Sequence, residues 1–496
     1  MRSTPYRMFG ILLLALTSLV ARAAAAGATT QGQDKIKKQY LGSIPAGILD
    51  AVRSATPEGC RLALVTRANN KLIVVIDGQP GPTVDDLMVG SVVFSPDGKR
   101  FAYTAGKGNK WRVVIDGNAG PEWDRISAGD PIFSPDGKHI AYTAGKGDTW
   151  RVVIDGDAGP GTEGTVEGSL VFSHDGQHVA YATTKGAKRF AVVDGQPGPE
   201  WDGIMEGTMV FSPDGKRVAY VAGKGHNQIA VIDGQAGPEM DGIGKGTPLF
   251  SSDSKRVAYV ATKGAKWFVV IDGQLEPEAD GLANLLFSPD GKHMAYIKQK
   301  GAKWFAVVDG QAGPEMDGIG GLMFSSDSKR VAYMAKKGAK GLAVIDGQPG
   351  PEADGIGGLT FSPDGKRVAY AAIKGGKQSV IVDGQAGPEM NGVGGLIFSP
   401  DSKHVAYVAQ NGTKWFAMVD GQAGPETDGI GELVFSPDSK HVAYVAFVNG
   451  KQVVMVDGQA GPAVDGIAVG PVFRKDGTVE YLAKQADGLY RLDDRP

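Results

Sequence analysis

The chain of 496 residues has a single cysteine, Cys60, so no internal disulfide can brace it and its stability must come from packing. Cys60 also has no histidine close in sequence to activate a thiolate. It stands between a glycine and a strand, at a repeat position held elsewhere by Lys, Gln or Thr, and reads as a neutral substitution. An excess of one charge is missing too: 52 Lys and Arg against 55 Asp and Glu leave −3, which argues against nucleic acid as a partner and against an acidic tail. Beyond the first residues no apolar run approaches membrane length, and no helix-period segment occurs.

The N-terminus is the exception. Arg2 and Arg7 precede an apolar run over residues 8–21, and the small residues Ala23, Ala24, Ala25 and Ala26 follow. The run is short for a membrane span, so the profile is that of a signal peptide over residues 1–26, cleaved between Ala23 and Gly27, with no cysteine there for lipidation. The expected location is periplasmic or secreted, with no stable membrane insertion after cleavage.

What the chain has in abundance is glycine, 74 residues, with 28 prolines. Both recur at fixed offsets between β-branched runs and therefore mark turns. The segment Phe94-Ser95-Pro96-Asp97-Gly98-Lys99 returns with its phenylalanine at Phe133, Phe172, Phe211, Phe250, Phe287, Phe324, Phe361, Phe398, Phe435 and, degenerate, Phe473. An ungapped match beginning at Ala55 brings the number of copies to twelve.

Each copy has strand periods. A strand ends in the Pro-Asp-Gly turn, and a second, Arg-Val-Ala-Tyr-Val-Ala at residues 217–222, is apolar on both faces. A lysine-bearing turn leads to a third, Trp267-Phe268-Val269-Val270-Ile271, and a Gly/Pro loop to a short fourth, expected around residues 240–243. Four short strands buried on both faces are what a β-propeller blade requires, because only neighbouring blades can cover them. The predicted fold is all-β, twelve four-stranded blades, with residues 44–49 of one terminus completing a blade begun by the other.

Phe-to-Phe spacing is 39 through Phe250 and 37 from there to Phe435. That shift favours two tandem six-bladed propellers over one twelve-bladed ring. The domain reading is a signal peptide at 1–26, a linker at 27–43, repeats one to six at 44–275 and repeats seven to twelve at 276–496.

The Phe-Ser-Pro-Asp-Gly-Lys-Arg-Val-Ala-Tyr core, followed by a strand ending in Asp-Gly, resembles the WD-repeat-like units of TolB-type propellers over residues 45–494. The resemblance implies a propeller and a periplasmic partner-binding role. The α/β domain that precedes the TolB propeller has no counterpart here. Prolyl-oligopeptidase-type enzymes are similar in their propeller, but no Gly-x-Ser-x-Gly elbow accompanies it.

A metal or acid–base site needs groups that converge, and this chain spreads them. His139, His178, His293, His404 and His441 share one repeat position on five blades, a slot filled by Arg in most others, and read as solvated turn residues. Asp77, Asp116, Asp155, Asp194, Asp233, Asp272, Asp309, Asp346, Asp383, Asp420 and Asp457 each precede Gly; without an Asp-x-Asp-x-Asp-Gly loop they read as turn chemistry and not as calcium ligands. Trp111, Trp150, Trp267, Trp304 and Trp415 open third strands and are expected to pack between blades. No metal, cofactor or catalytic residue is therefore assigned.

The turns between second and third strands carry lysine: Lys107 and Lys110, Lys185 and Lys188, Lys263 and Lys266, Lys300 and Lys303, Lys337 and Lys340, Lys374 and Lys377. Glu122, Glu200, Glu239, Glu278, Glu315, Glu352, Glu389 and Glu426 are expected on the opposite face, which would polarise the disc. The functional expectation is a non-enzymatic scaffold that docks a protein or anionic envelope polymer on the lysine face. The competing expectation is a propeller lyase or hydrolase at a central mouth, disfavoured by bland loops such as Gly320-Gly321, Gly357-Gly358 and Gly394-Gly395.

Overall fold

The computed structural model describes residues 36–88, 90–129 and 131–495, in which every regular element is a β-strand. The expected signal peptide, and residues 27–35 of the expected linker, lie outside the described residues.

The strands form twelve antiparallel sheets, one per sequence copy. Blade 8 shows the pattern: innermost Gly318–Phe324, second Val331–Lys337, third Lys340–Ile345 and outermost Gln348–Pro349. The second and third strands carry the core. Val257–Lys263 of blade 6 is buried at its first five positions, on both faces, and its Tyr259 packs with Ala261 and Val270 against Ala230 and Met240 of blade 5. Alanine on one blade and tyrosine on the next recur in the cluster joining blades 4 and 5, where Ala180, Ala182 and Ala191 meet Tyr220. A small residue lets the sheets approach and a large one fills the gap between them. The glycine of the Gln-x-Gly-Pro loop belongs to this contact: a Cβ on Gly237 would stand 3.0 Å from the Tyr259 hydroxyl and 3.1 Å from the Ala230 carbonyl.

Three expectations are corrected. The fourth strand is not at 240–243. Met240 bridges back to Gln228, while Gly242–Ile243 already pairs with Val257–Lys263 as the innermost strand of the next blade. The outermost strand is the shorter Gln235–Ala236, set by the Asp233-Gly234 turn, in which both residues have positive φ.

The twelve blades also make one ring and not two rings of six. Blade 6 continues onto blade 7, with Ser252 Oγ donating to the Ser288 carbonyl at 3.2 Å. Blade 12 meets blade 1, where the Cys60 amide donates to Glu480 at 2.6 Å. The spacing change after Phe250 has a local cause. In blade 6 the innermost strand is split into Gly242–Ile243 and Leu249–Phe250, whereas in blade 7 it is one bulged strand, Gly281–Phe287. The two missing residues shorten that bulge and mark no boundary between rings.

Finally, the strand that closes the ring is Lys37–Ser43, paired antiparallel with Gly488–Asp494 as the outermost strand of blade 12. It lies within the expected linker, ahead of residues 44–49. A chain starting at Ile44 is therefore expected to expose the edge of Gly488–Asp494 and unfold at a lower temperature than the chain starting at Ile36. Thermal unfolding of the two, followed by circular dichroism, checks this; equal midpoints would contradict closure by this strand.

Candidate interaction surface at the hairpin tips

Each blade has two polar ends. At one end, the first turn is held by a serine and an aspartate: Ser95 Oγ donates to Asp97 at 2.7 Å, and Asp97 accepts the Lys99 amide at 3.1 Å. Beside it the Asp-Gly turn closes the outer hairpin. Asp272, at φ +48°, accepts the Val257 amide at 2.8 Å on one oxygen and Arg256 Nε at 3.3 Å on the other. Its equivalents do the same, so these carboxylates are spent on protein donors.

The Arg/His slot has more structure than a solvated turn residue. His139, His178, His293, His404 and His441 each place Nδ1 at 2.6–2.7 Å from the aspartate of their own blade. Where arginine stands, the guanidinium also reaches the next blade: Arg330 donates to the Lys366 carbonyl at 2.6 Å and lies 5.5 Å from the centre of the Phe361 ring.

The other end carries the lysines, and the structure separates each pair into two roles. The second lysine opens the third strand and binds an aspartate of the crossover to the next blade: Lys188 to Asp202 at 2.5 Å, Lys266 to Asp280 at 2.9 Å, Lys303 to Asp317 at 3.0 Å, Lys340 to Asp354 at 2.6 Å, and Lys110 to Asp124. The other oxygen of that aspartate accepts an amide from the next blade's hairpin tip, as Asp280 does from Gly301 at 2.7 Å. The lysine hydrogen bond, followed by the amide, holds the Asp280 carboxyl below its ordinary value. These aspartates, which the sequence reading did not single out, are inter-blade struts. Their signal was present as an acidic residue three positions after the proline of the outer loop, as Asp202 after Pro199 and Asp280 after Pro277, with Asn391 after Pro388 the exception.

The first lysine ends the second strand and sits exposed at the tip. Lys107, Lys185, Lys263, Lys300, Lys337 and Lys374 have no ion-pair partner among the described residues, and neither does Lys377, whose strut position is Asn391.

The glutamates are not on the opposite face. The outermost segment runs from the Asp-Gly turn back to the lysine end, which brings Glu239 to 2.7 Å from Lys224, Glu315 to 3.3 Å from Lys303 and Glu278 to 3.6 Å from Lys266. The expected polarised disc is replaced by a face of mixed charge with free lysines at its tips.

The positions expected to be loops entering the innermost strands are bulges within those strands, or the gap between their two halves in blades 4 to 6, and are less bland than expected. Glu432 takes the place of Gly321, Gly358 and Gly395, and Glu167, Glu206 and Lys245 stand in blades 4 to 6. Glu432 and Arg53 line one hollow of about 300 Å³ with Phe447, Gln452 and Ile467. Glu432 is exposed at the edge of this hollow, where partial desolvation raises its carboxyl and Arg53 opposes that shift. Among the described residues no three His, Cys, Asp or Glu side chains converge as a metal site would need.

No known family profile matches the chain, and no curated protein matches it. Solved structures do. One described as the eukaryotic initiation factor is 14% identical, covering 80% of this chain and 98% of that one with a TM-score of 0.37. TolB from Acinetobacter baumannii is 13% identical, covering 58% and 80% with a TM-score of 0.24. The Dos1 propeller is 11% identical, covering 68% and 93% with a TM-score of 0.27. With every TM-score below 0.5, these likenesses add nothing to what the blades themselves show.

The serine-capped aspartates give the protein an acid limit. Serine, as the leading cause, lowers Asp97 and Asp401 to about 2 and pulls Asp253, Asp290 and Asp364 down as well. A depressed carboxylate adds stability above its unfolded value, about 4, and loses it as pH falls through the folded value. The unfolding midpoint should be flat in this respect above pH about 5 and drop steadily from about 4 toward 2. Thermal melts across that range check it.

Proposed function

We propose that the protein is a non-enzymatic scaffold that holds an anionic partner, an acidic protein surface or an anionic polymer, on the lysine tips of its hairpins. The supporting observation is the distribution of the tip residue. Eight consecutive blades, 2 to 9, present Lys107, Lys146, Lys185, Lys224, Lys263, Lys300, Lys337 and Lys374, whereas blades 10, 11, 12 and 1 present Asn411, Val448, Gln485 and Ala68. The tips are exposed, and of the eight only Lys224 is held by an acid, Glu239. Repeated single charges suit a partner that spans many blades through weak contacts. The N-terminal profile supports a periplasmic or secreted site of action, and the repeat itself supports a TolB-type unit adapted to binding.

A second reading, a lyase or hydrolase at the central mouth, draws on Glu432 beside Arg53, because a carboxyl raised above its ordinary value is better suited to act as a general acid. Loss of a turnover by Glu432→Gln, with the ring intact, would favour it.

The test uses dextran sulfate as the probe at low salt. Changing Lys107, Lys185, Lys263 and Lys337 to Glu should weaken binding at least about tenfold, while the same change at Lys99, Lys216, Lys292 and Lys366, at the other end of the blades, should leave it near the parent value. Equal losses in both variants would reduce the effect to net charge and reject the tips as the site.

A further inference from the structure

The interface between blade 12 and blade 1 is unlike the others around the ring. In eleven blades the second strand places a buried alanine before its large aromatic or leucine, as at Ala102, Ala219 and Ala443; blade 12 has Glu480 there, fully buried. The serine that caps the first turn elsewhere, Ser95 or Ser436, is Arg474 in blade 12. The small apolar residue inside the third strand, Val113 or Ala230, is Arg491.

These three departures meet in space. The Arg474 guanidinium and Arg491 Nε, the latter at 3.3 Å, flank the Glu480 carboxylate.

Blade 1 departs at the matching place. In the internal blades the residue after the Asp-Gly or Asp-Ser turn has its amide taken by the turn's own aspartate, as Lys216 by Asp214 at 3.2 Å and Lys292 by Asp290 at 3.1 Å. Blade 1 has Glu58 in place of that aspartate and Cys60 in place of that lysine. The Glu58 carboxylate turns instead to Lys475 of blade 12 at 2.8 Å, which leaves the Cys60 amide to Glu480 at 2.6 Å. Arg491 then donates to the Cys60 carbonyl at 3.3 Å.

We infer that these residues are a closure code carried only by the two terminal blades, which makes blade 12 accept blade 1 and no other and so sets the ring at twelve. The need for one follows from the repeat. Nearly identical apolar faces let a terminal blade stack in more than one register or on a second copy head to tail. A buried carboxylate between two arginines is costly against any face whose amide is already spent, so it discriminates even where it adds little net stability. Cysteine, small and uncharged, fits where the usual lysine would meet two arginines.

Cys60 is also the reporter. It is fully buried, and burial pushes its thiol up to about 12, so it should be inert to thiol reagents in the closed ring. The variant Arg474→Ser, Glu480→Ala, Arg491→Val restores the residues of internal blades. It should keep the β-sheet signal but show several species by light scattering, more than one blade count in electron-microscopy class averages, and Cys60 labelling at least about tenfold faster than the parent. Glu480→Gln, which keeps size and a hydrogen-bond acceptor, should speed labelling with the sheet preserved. A single twelve-bladed monomer with inert Cys60 in both variants would overturn the inference. So would loss of the sheet signal in both, since the cluster would then serve folding in general and not the choice of partner blade.

Discussion

Every blade of this protein is apolar on both faces, and that one constraint governs the rest. Val257–Lys263 buries five consecutive residues, which no isolated sheet of four short strands can do in water. Each blade must therefore have two neighbours, and a chain of such blades must bend until its ends meet. The tyrosine-on-alanine contact between neighbours, the glycine kept beneath most of the tyrosine hydroxyls and the aspartate strut at most crossovers are local solutions to stacking repeated around the ring.

The polar groups follow from the same geometry. With the blade faces taken by packing, charge is confined to the two ends, and most of it is used to fasten one blade to the next. Arg330 reaches a carbonyl and a phenylalanine ring of the following blade, and Asp280 binds a lysine of its own blade and an amide of the next. What is left over is more informative about binding than what is abundant. A lysine at the tip, three positions before the strut lysine, is left without an ion-pair partner among the described residues at Lys107, Lys185, Lys263, Lys300, Lys337 and Lys374.

The ends of the chain carry a separate burden, because the outermost strand of blade 12 comes from the other terminus, continuous with blade 1 but joined to the rest of blade 12 by no covalent link along the blade. The strand Lys37–Ser43 provides backbone pairing there, and the cluster around Glu480 provides recognition. Internal blades need neither, since all their strands come from one continuous stretch of chain that leads on to the next blade. This accounts for the concentration of irregular residues, Glu58, Cys60, Arg474, Glu480 and Arg491, at one interface of an otherwise uniform ring.

From the sequence alone, the recurrence of Phe-Ser-Pro-Asp-Gly determined the number of blades, and two-faced apolar runs determined that they stack, because strand period and turn chemistry are local properties. The lysine turns were legible for the same reason, as was the turn role of the Asp-Gly pairs. The count of rings was not, since a two-residue change in spacing looks alike whether it separates two rings or shortens one bulge. Nor was the position of the glutamates: Glu239 lies in a loop by sequence, and only the return of the outermost strand carries it to Lys224. The meaning of Cys60 and Glu480 was also beyond reach, because residues 420 apart become partners only when the ring closes. Tertiary structure decided what depends on which blade meets which, and a repeat, by its nature, leaves that open.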